Sequence, residues 1–178
     1  MQCYVAKELN RLFLEESFAY AFDEGRVEYR GRAHTSTQIS RAQLVLGDPR
    51  LESARKHFNK ALKYFRDVSN PDPENAVKEA VCAVEATARA LFLDSSAKTL
   101  GDITKALTGN GVGQLPKAVA QTFHGLYGFR SGGAGVAHGG TTGGPVTNEI
   151  AEYAIAVAAS QMILLVDLAN AHDEEVPI

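Results

Sequence analysis

The chain has 178 residues, 45% of them hydrophobic and 22% charged, with a net charge of −3 and an isoelectric point near 6.0. That length and composition suit one globular domain with a substantial core. The slight acidity excludes a protein that holds nucleic acid by its whole-molecule field, so contact with RNA would need a local basic patch.

Val5, Leu9, Leu12 and Phe13 recur at helical spacing and predict an opening helix over residues 4–15. Lys7, Glu8 and Arg11 interrupt it, unlike the apolar core of a signal peptide. The period then changes. In SFAYAFDEGRVEYRG, Phe18, Tyr20 and Phe22 alternate before Asp23-Glu24-Gly25, and Val27 and Tyr29 continue after it. This predicts a β-hairpin with a three-residue, bulged turn that leans on the helices.

From Leu51, the series Ala54, Phe58, Ala61, Leu62 and Phe65 forms one helix face, with Arg55, Lys56, Lys60, Lys63 and Arg66 elsewhere on the cylinder. This basic amphipathic helix reads either as an RNA-facing surface or as a solvated face, which is the commoner role of such charge runs. The next helix has the clearest start. Asp72 caps it, Pro73 occupies the first position and Glu74 complements the dipole. Val77, Ala80, Val81, Val84, Ala88 and Leu91 form its apolar stripe, and Glu85 lies at the stripe's edge, either as half of a buried ion pair or as a site carboxylate.

A short helix over residues 100–107 stops at Gly109-Asn110-Gly111. Another begins near Leu115 and Pro116 and carries Val119, Phe123, Leu126 and Tyr127 on its apolar side. From Gly125 to Gly144 there are nine glycines in twenty residues, which predicts a loop, since each glycine costs a helix about 1 kcal/mol. The closing helix, from PVTNEI onward, has Glu149 and Glu152 near its positive N-terminus. With Ile150, Tyr153, Ala154, Val157, Ala158, Leu164, Leu165 and Leu168, it reads as a nearly enclosed central helix and a possible dimer surface, ending in a frayed acidic tail at Asp173-Glu174-Glu175. Its longest apolar run, residues 153–166, is broken by Ser160 and Gln161 and is too short to span a bilayer core of about 30 Å. No membrane partner is expected.

Cys3 and Cys82 have no CxxC or Cys/His cluster around them and read as reduced thiols of a cytoplasmic protein. His34, His57, His124, His138 and His172 are scattered without paired spacing, so no metal is expected. GxxxxGK[ST], GxGxxG and GxSxG are all absent, so no nucleotide cofactor or serine nucleophile is expected. What remains is FRSGGAGVAHGG, residues 129–140, which sets Arg130 and His138 on either side of a pliable loop. Arginine binds phosphate bidentately and histidine moves protons near neutral pH, a pairing suited to metal-free RNA cleavage. The following Gly139, Gly140, Thr141 and Thr142 have the outline of a phosphate-binding loop ahead of a helix N-terminus. A histidine that pins the loop beside a surface arginine is the competing reading.

NPDPENAVKEAVCAVEATARALF, a short helix, LYGFRSGGAGVAHGG and a closing apolar helix together resemble the C-terminal half of bacterial abortive-infection proteins of the HEPN superfamily, over roughly residues 55–170. The most specific pieces are Asn75, Lys78-Glu79, Ala83-Val84-Glu85 and His138-Gly139. The resemblance implies a dimeric all-α bundle that pairs two Arg-x4-6-His motifs in one cleft and cleaves RNA without metal in phage defence or toxin–antitoxin systems. Carried over, Arg130 is the phosphate ligand, His138 the acid/base and Ser131 the polar neighbour, with Glu79 and Glu85 as supporting carboxylates. Seven residues separate Arg130 from His138 here, and Ala137 precedes the histidine where some relatives have arginine. The expected architecture is therefore mainly α, a HEPN-like helical bundle of residues 48–178 with an N-terminal helix and β-hairpin annex over 1–47. Its expected role is a ribonuclease, or else a non-catalytic module that binds RNA or a protein. The expected partners are an RNA substrate, a second copy of the chain and an antitoxin or defence protein.

Overall fold

Alanine-rich apolar stripes at helical spacing dominate the sequence, and the molecule is accordingly mainly helical, with one small antiparallel hairpin. The computed structural model describes residues 2–16, 18–92, 100–108, 115–132 and 146–175. In chain order these form α1 (Gln2–Glu15), β1 (Tyr20–Asp23), β2 (Arg26–Tyr29), α2 (Ala33–Val45), a 3-10 turn at Pro49–Leu51, α3 (Glu52–Arg66), α4 (Pro73–Leu91), α5 (Leu100–Thr108), α6 (Lys117–Gly132) and α7 (Asn148–Glu175).

The hairpin turns more tightly than its sequence suggests. Asp23 pairs with Arg26 in the ladder, leaving only Glu24 and Gly25 in the turn. Both have positive φ, 45° and 84°, the backbone of a type I′ turn, whose twist matches that of the strands. Asn10 of α1 binds the outer strand as a further strand would: its side-chain amide donates to the Phe22 carbonyl at 2.8 Å, and its side-chain carbonyl accepts from the Phe22 N–H at 2.7 Å. The hairpin does lean on the bundle, through the Tyr29 ring, which meets Phe65 of α3 edge-on at 5.1 Å.

The core is built on α4, which packs against α3 on one side and α7 on another. The face of α3 read from sequence, Leu51 through Phe65, is buried as expected. Asp72 caps α4 by accepting from the Asn75 N–H at 3.0 Å. Small residues, Ala76, Ala80 and Ala83 on α4 with Ala151, Ala154 and Ala158 on α7, are fully buried and permit close approach of the two helices. α2 also belongs to this core, because Ile39, Ala42 and Leu46 are buried within the same cluster. The core thus runs across the position-47 division read from sequence.

Three sequence-based expectations change. Helix α6 does not yield to a loop at Gly125 but continues through Gly128 to Gly132, held by Phe123 and Leu126 in the core. Helix α7 is not enclosed on all sides: Tyr153 is 70% exposed and Ile150 40%, while Ala151, Glu152 and Ile155 turn inward instead. Nor is α7 too short to cross a bilayer, since Asn148–Ala171 has the required length and a mean hydropathy of 1.7, with half of its most apolar stretch buried inside the fold. Its apolarity serves packing on α4 and α2, and the helix extends through the acidic residues to Glu175.

Candidate functional site

The less apolar side of α4 carries Lys78, Glu79, Cys82, Glu85 and Arg89. At 3.6 residues per turn, Glu79 and Glu85 lie about 9 Å apart along the axis and about 120° apart around it. Each can therefore reach a different neighbouring helix, and each takes a basic partner there. Glu85, on the side facing α6, accepts from Arg130 Nη1 at 3.0 Å. Glu79 accepts from His57 of α3 at 2.6 Å, with Lys60 Nζ at 4.0 Å.

Arg130 therefore sits in the last turn of α6, not within a loop. Its side chain is 27% exposed and that of Glu85 11%. Half-buried, the pair is screened less than a surface ion pair and clamps α6 to α4. The guanidinium meets Glu85 through one nitrogen, and its remaining N–H groups make no hydrogen bond among the described residues. Of the two readings drawn from its sequence position, Glu85 takes up the ion pair in the core's margin. Ser131 follows Arg130 in the final turn. His138, Gly139, Gly140, Thr141 and Thr142 lie outside the described residues.

Between the two pairs lies Cys82, a free thiol. Burial pushes its pKa up against the opposing pull of the Arg130 charge, which leaves it a protonated and poor nucleophile at neutral pH. Among the described residues there is no group of three or more His, Cys, Asp or Glu side chains that could hold a metal ion.

Nothing local in the sequence marks His57, because its partner Glu79 is 22 residues away on another helix. An ionised carboxylate only accepts, so Nδ1 of His57 carries the proton and Nε2 is the ring nitrogen left without a partner among the described residues. From sequence, Glu152 is only a complement to the α7 dipole, yet it is 2% exposed and joins three elements. The Tyr29 hydroxyl donates to its Oε2, and the Arg32 N–H and Thr35 hydroxyl donate to its Oε1, each at 2.8 Å. Burial works to raise the Glu152 pKa, but these hydrogen bonds outweigh it and hold the carboxyl below its usual range. Burial, reinforced by the same carboxylate, pushes Tyr29 up to about 12. Gly31 makes this approach possible, with φ at +76° and Glu152 Oε1 only 3.3 Å from where a Cβ would stand. Glu149, in contrast, is exposed, and its carboxyl is lowered first by the Thr147 hydroxyl.

Comparison with family models, curated proteins and solved structures finds no match to this chain.

Proposed function

We propose that the chain is a HEPN-like, metal-independent endoribonuclease in which Arg130 holds the scissile phosphate and His138 transfers the proton. The observation that carries this reading is the seating of Arg130. Glu85 fixes the guanidinium through Nη1 at 3.0 Å while its other donors stay uncommitted among the described residues, at the point where α6 hands the chain to the glycine segment leading to His138. A preset arginine stabilises charge developing on a phosphate without reorganising during the reaction.

In the reaction the ribose 2′-oxygen bonds to phosphorus as the P–O5′ bond breaks. The 2′-hydroxyl proton passes to a base, and the departing 5′-oxygen receives a proton from an acid. His138 fills one of these roles, and water or its counterpart in a second protomer fills the other. Pairing of two copies through α6 and α7 is part of the proposal, supported by the exposed Ile150 and Tyr153 on α7. So is a cytoplasmic setting in bacterial defence, with an antitoxin or defence protein as restraint.

The test is the cleavage rate of a labelled single-stranded RNA. Arg130→Ala lowers it by roughly 10²–10³, the usual cost of one transition-state donor, while Arg130→Lys retains part of it. Equal rates in wild type and Arg130→Ala would remove Arg130 from the chemistry. The rival reading, a non-catalytic module that binds RNA or protein, draws on the same pair, because Glu85 neutralises Arg130 and clamps two helices whether or not RNA is cleaved.

A further inference from the structure

The outer side of α3 borders two concavities. One, of about 550 Å3, is enclosed with β2 and α2 and is lined by Arg26, Gln43, Asn59, Lys63 and Arg66 among others. The other, of about 530 Å3, is lined by Ser53, Lys56, His57, Asn59, Lys60 and Lys63. Asn59 and Lys63 line both, so the two adjoin as a shallow channel along the helix. Its walls carry Arg26, Lys56, Lys60, Lys63 and Arg66 against Glu28 and Asp67, with Glu52 beside Lys56 and Glu79 beside Lys60, a small local excess of positive charge on a molecule whose net charge is −3.

Three of the five cations are not spent on internal ion pairs. Arg26, Lys63 and Arg66 make no ion pair among the described residues, and Lys60 stands 4.0 Å from Glu79, at the limit of one. Lys56 alone is closely paired, with Glu52 at 2.8 Å, and that pair is exposed. His57, held by Glu79, lines the second concavity together with Lys60.

We propose that this channel binds the phosphate backbone of single-stranded RNA, with Lys60, Lys63 and Arg66 on phosphates and His57 and Asn59 as further hydrogen-bonding groups. From Lys56 to Arg66 the cations span about 15 Å at 1.5 Å per residue, enough to meet more than one phosphate of a single strand. A recess suits a flexible strand, whereas a membrane would need a flat or projecting surface. Asn59, Gln43 and Ser53 match the polar edges that unpaired nucleotides expose. The channel adjoins α4 at the His57–Glu79 pair, about 9 Å along the helix axis from Glu85. The inference rests on the RNA reading above but uses different residues.

The test is fluorescence anisotropy with a labelled 2′-O-methyl dodecamer, which cannot be cleaved through its 2′-oxygen and so reports binding alone. Lys60→Gln/Lys63→Gln should weaken binding roughly tenfold and reduce the salt dependence, log K against log salt, by about 1.4, or about 0.7 for each phosphate no longer neutralised. Lys7→Gln on α1, outside the channel, should leave both unchanged. A double variant that binds with the wild-type affinity and slope would overturn the channel while leaving cleavage by Arg130 standing. Absence of wild-type binding would overturn the channel as well. Equal competition by a poly-glutamate peptide of matched charge would assign the channel to acidic protein and overturn the inference. Loss of binding in the double variant together with absence of RNA cleavage by wild type would support the channel and sink the nuclease.

Discussion

Replacing Glu152 by Gln removes one charge while keeping nearly the same volume, so the result reports hydrogen bonding and not a cavity. In the wild type the carboxylate satisfies Tyr29, Arg32 and Thr35 from a site that is 2% exposed. Hydrogen bonds to a charged acceptor contribute about 1.5–3 kcal/mol each, and neutral ones about half that. A glutamine can accept through its oxygen, but its NH2 group must face at least one donor. The expected cost is roughly 2–4 kcal/mol, a fall in Tm of roughly 5–12 °C for a chain of this size. The exposed Arg32 guanidinium, 3.6 Å from the carboxylate, adds little, because solvent screens it. The loss should also depend on pH. A carboxyl held below its ordinary pKa in the folded state contributes stability that is fully present above the unfolded value of about 4.3 and is lost as pH falls through the folded value. The gap between wild type and Glu152→Gln, measured by urea unfolding, should therefore be full at pH 7 and shrink below about pH 4. A gap below about 0.5 kcal/mol at pH 7, the range of an ordinary surface change, would refute the assignment of Glu152 as the tie between hairpin, α2 and α7.

Two glycine substitutions should act in opposite directions. Gly31→Ala places a Cβ in the left-handed region and 3.3 Å from Glu152 Oε1, and urea unfolding should show a loss of about 1–3 kcal/mol from backbone strain alone. Gly125→Ala meets nothing within 4 Å and lies inside α6, so it should raise stability by about 0.5–1 kcal/mol, read as a higher Tm in a thermal scan.

Local signals in the sequence account for much of the fold. The start of α4 is legible because Asp72 and Pro73 act within one turn, and the buried face of α3 because its apolar residues recur at helical spacing. Helix α2 is not. Its run Thr35-Ser36-Thr37 lacks a clear stripe, and it is held by core contacts of Ile39 and Ala42 with distant residues and by Thr35 on Glu152. Helix α6 is longer than its sequence suggests because local propensity counts glycine against a helix, while the packing of Phe123 and Leu126 outweighs that cost. At the site, Arg130 and Glu85 each stand out singly, but their contact joins residues 45 apart. The pairing of His57 with Glu79 is hidden for the same reason. The role of Glu152 is masked because its place at a helix start already offers a sufficient local explanation, whereas its partners lie 117 to 123 residues away.

The central claim is cleavage of RNA by Arg130 and His138 without metal. Its most direct test incubates purified wild type and His138→Ala with end-labelled single-stranded RNA in EDTA and identifies the new termini. The account predicts fragments ending in 2′,3′-cyclic phosphate from wild type and none from His138→Ala. No cleavage by wild type at concentrations where it dimerises, or equal cleavage by the variant, would contradict it.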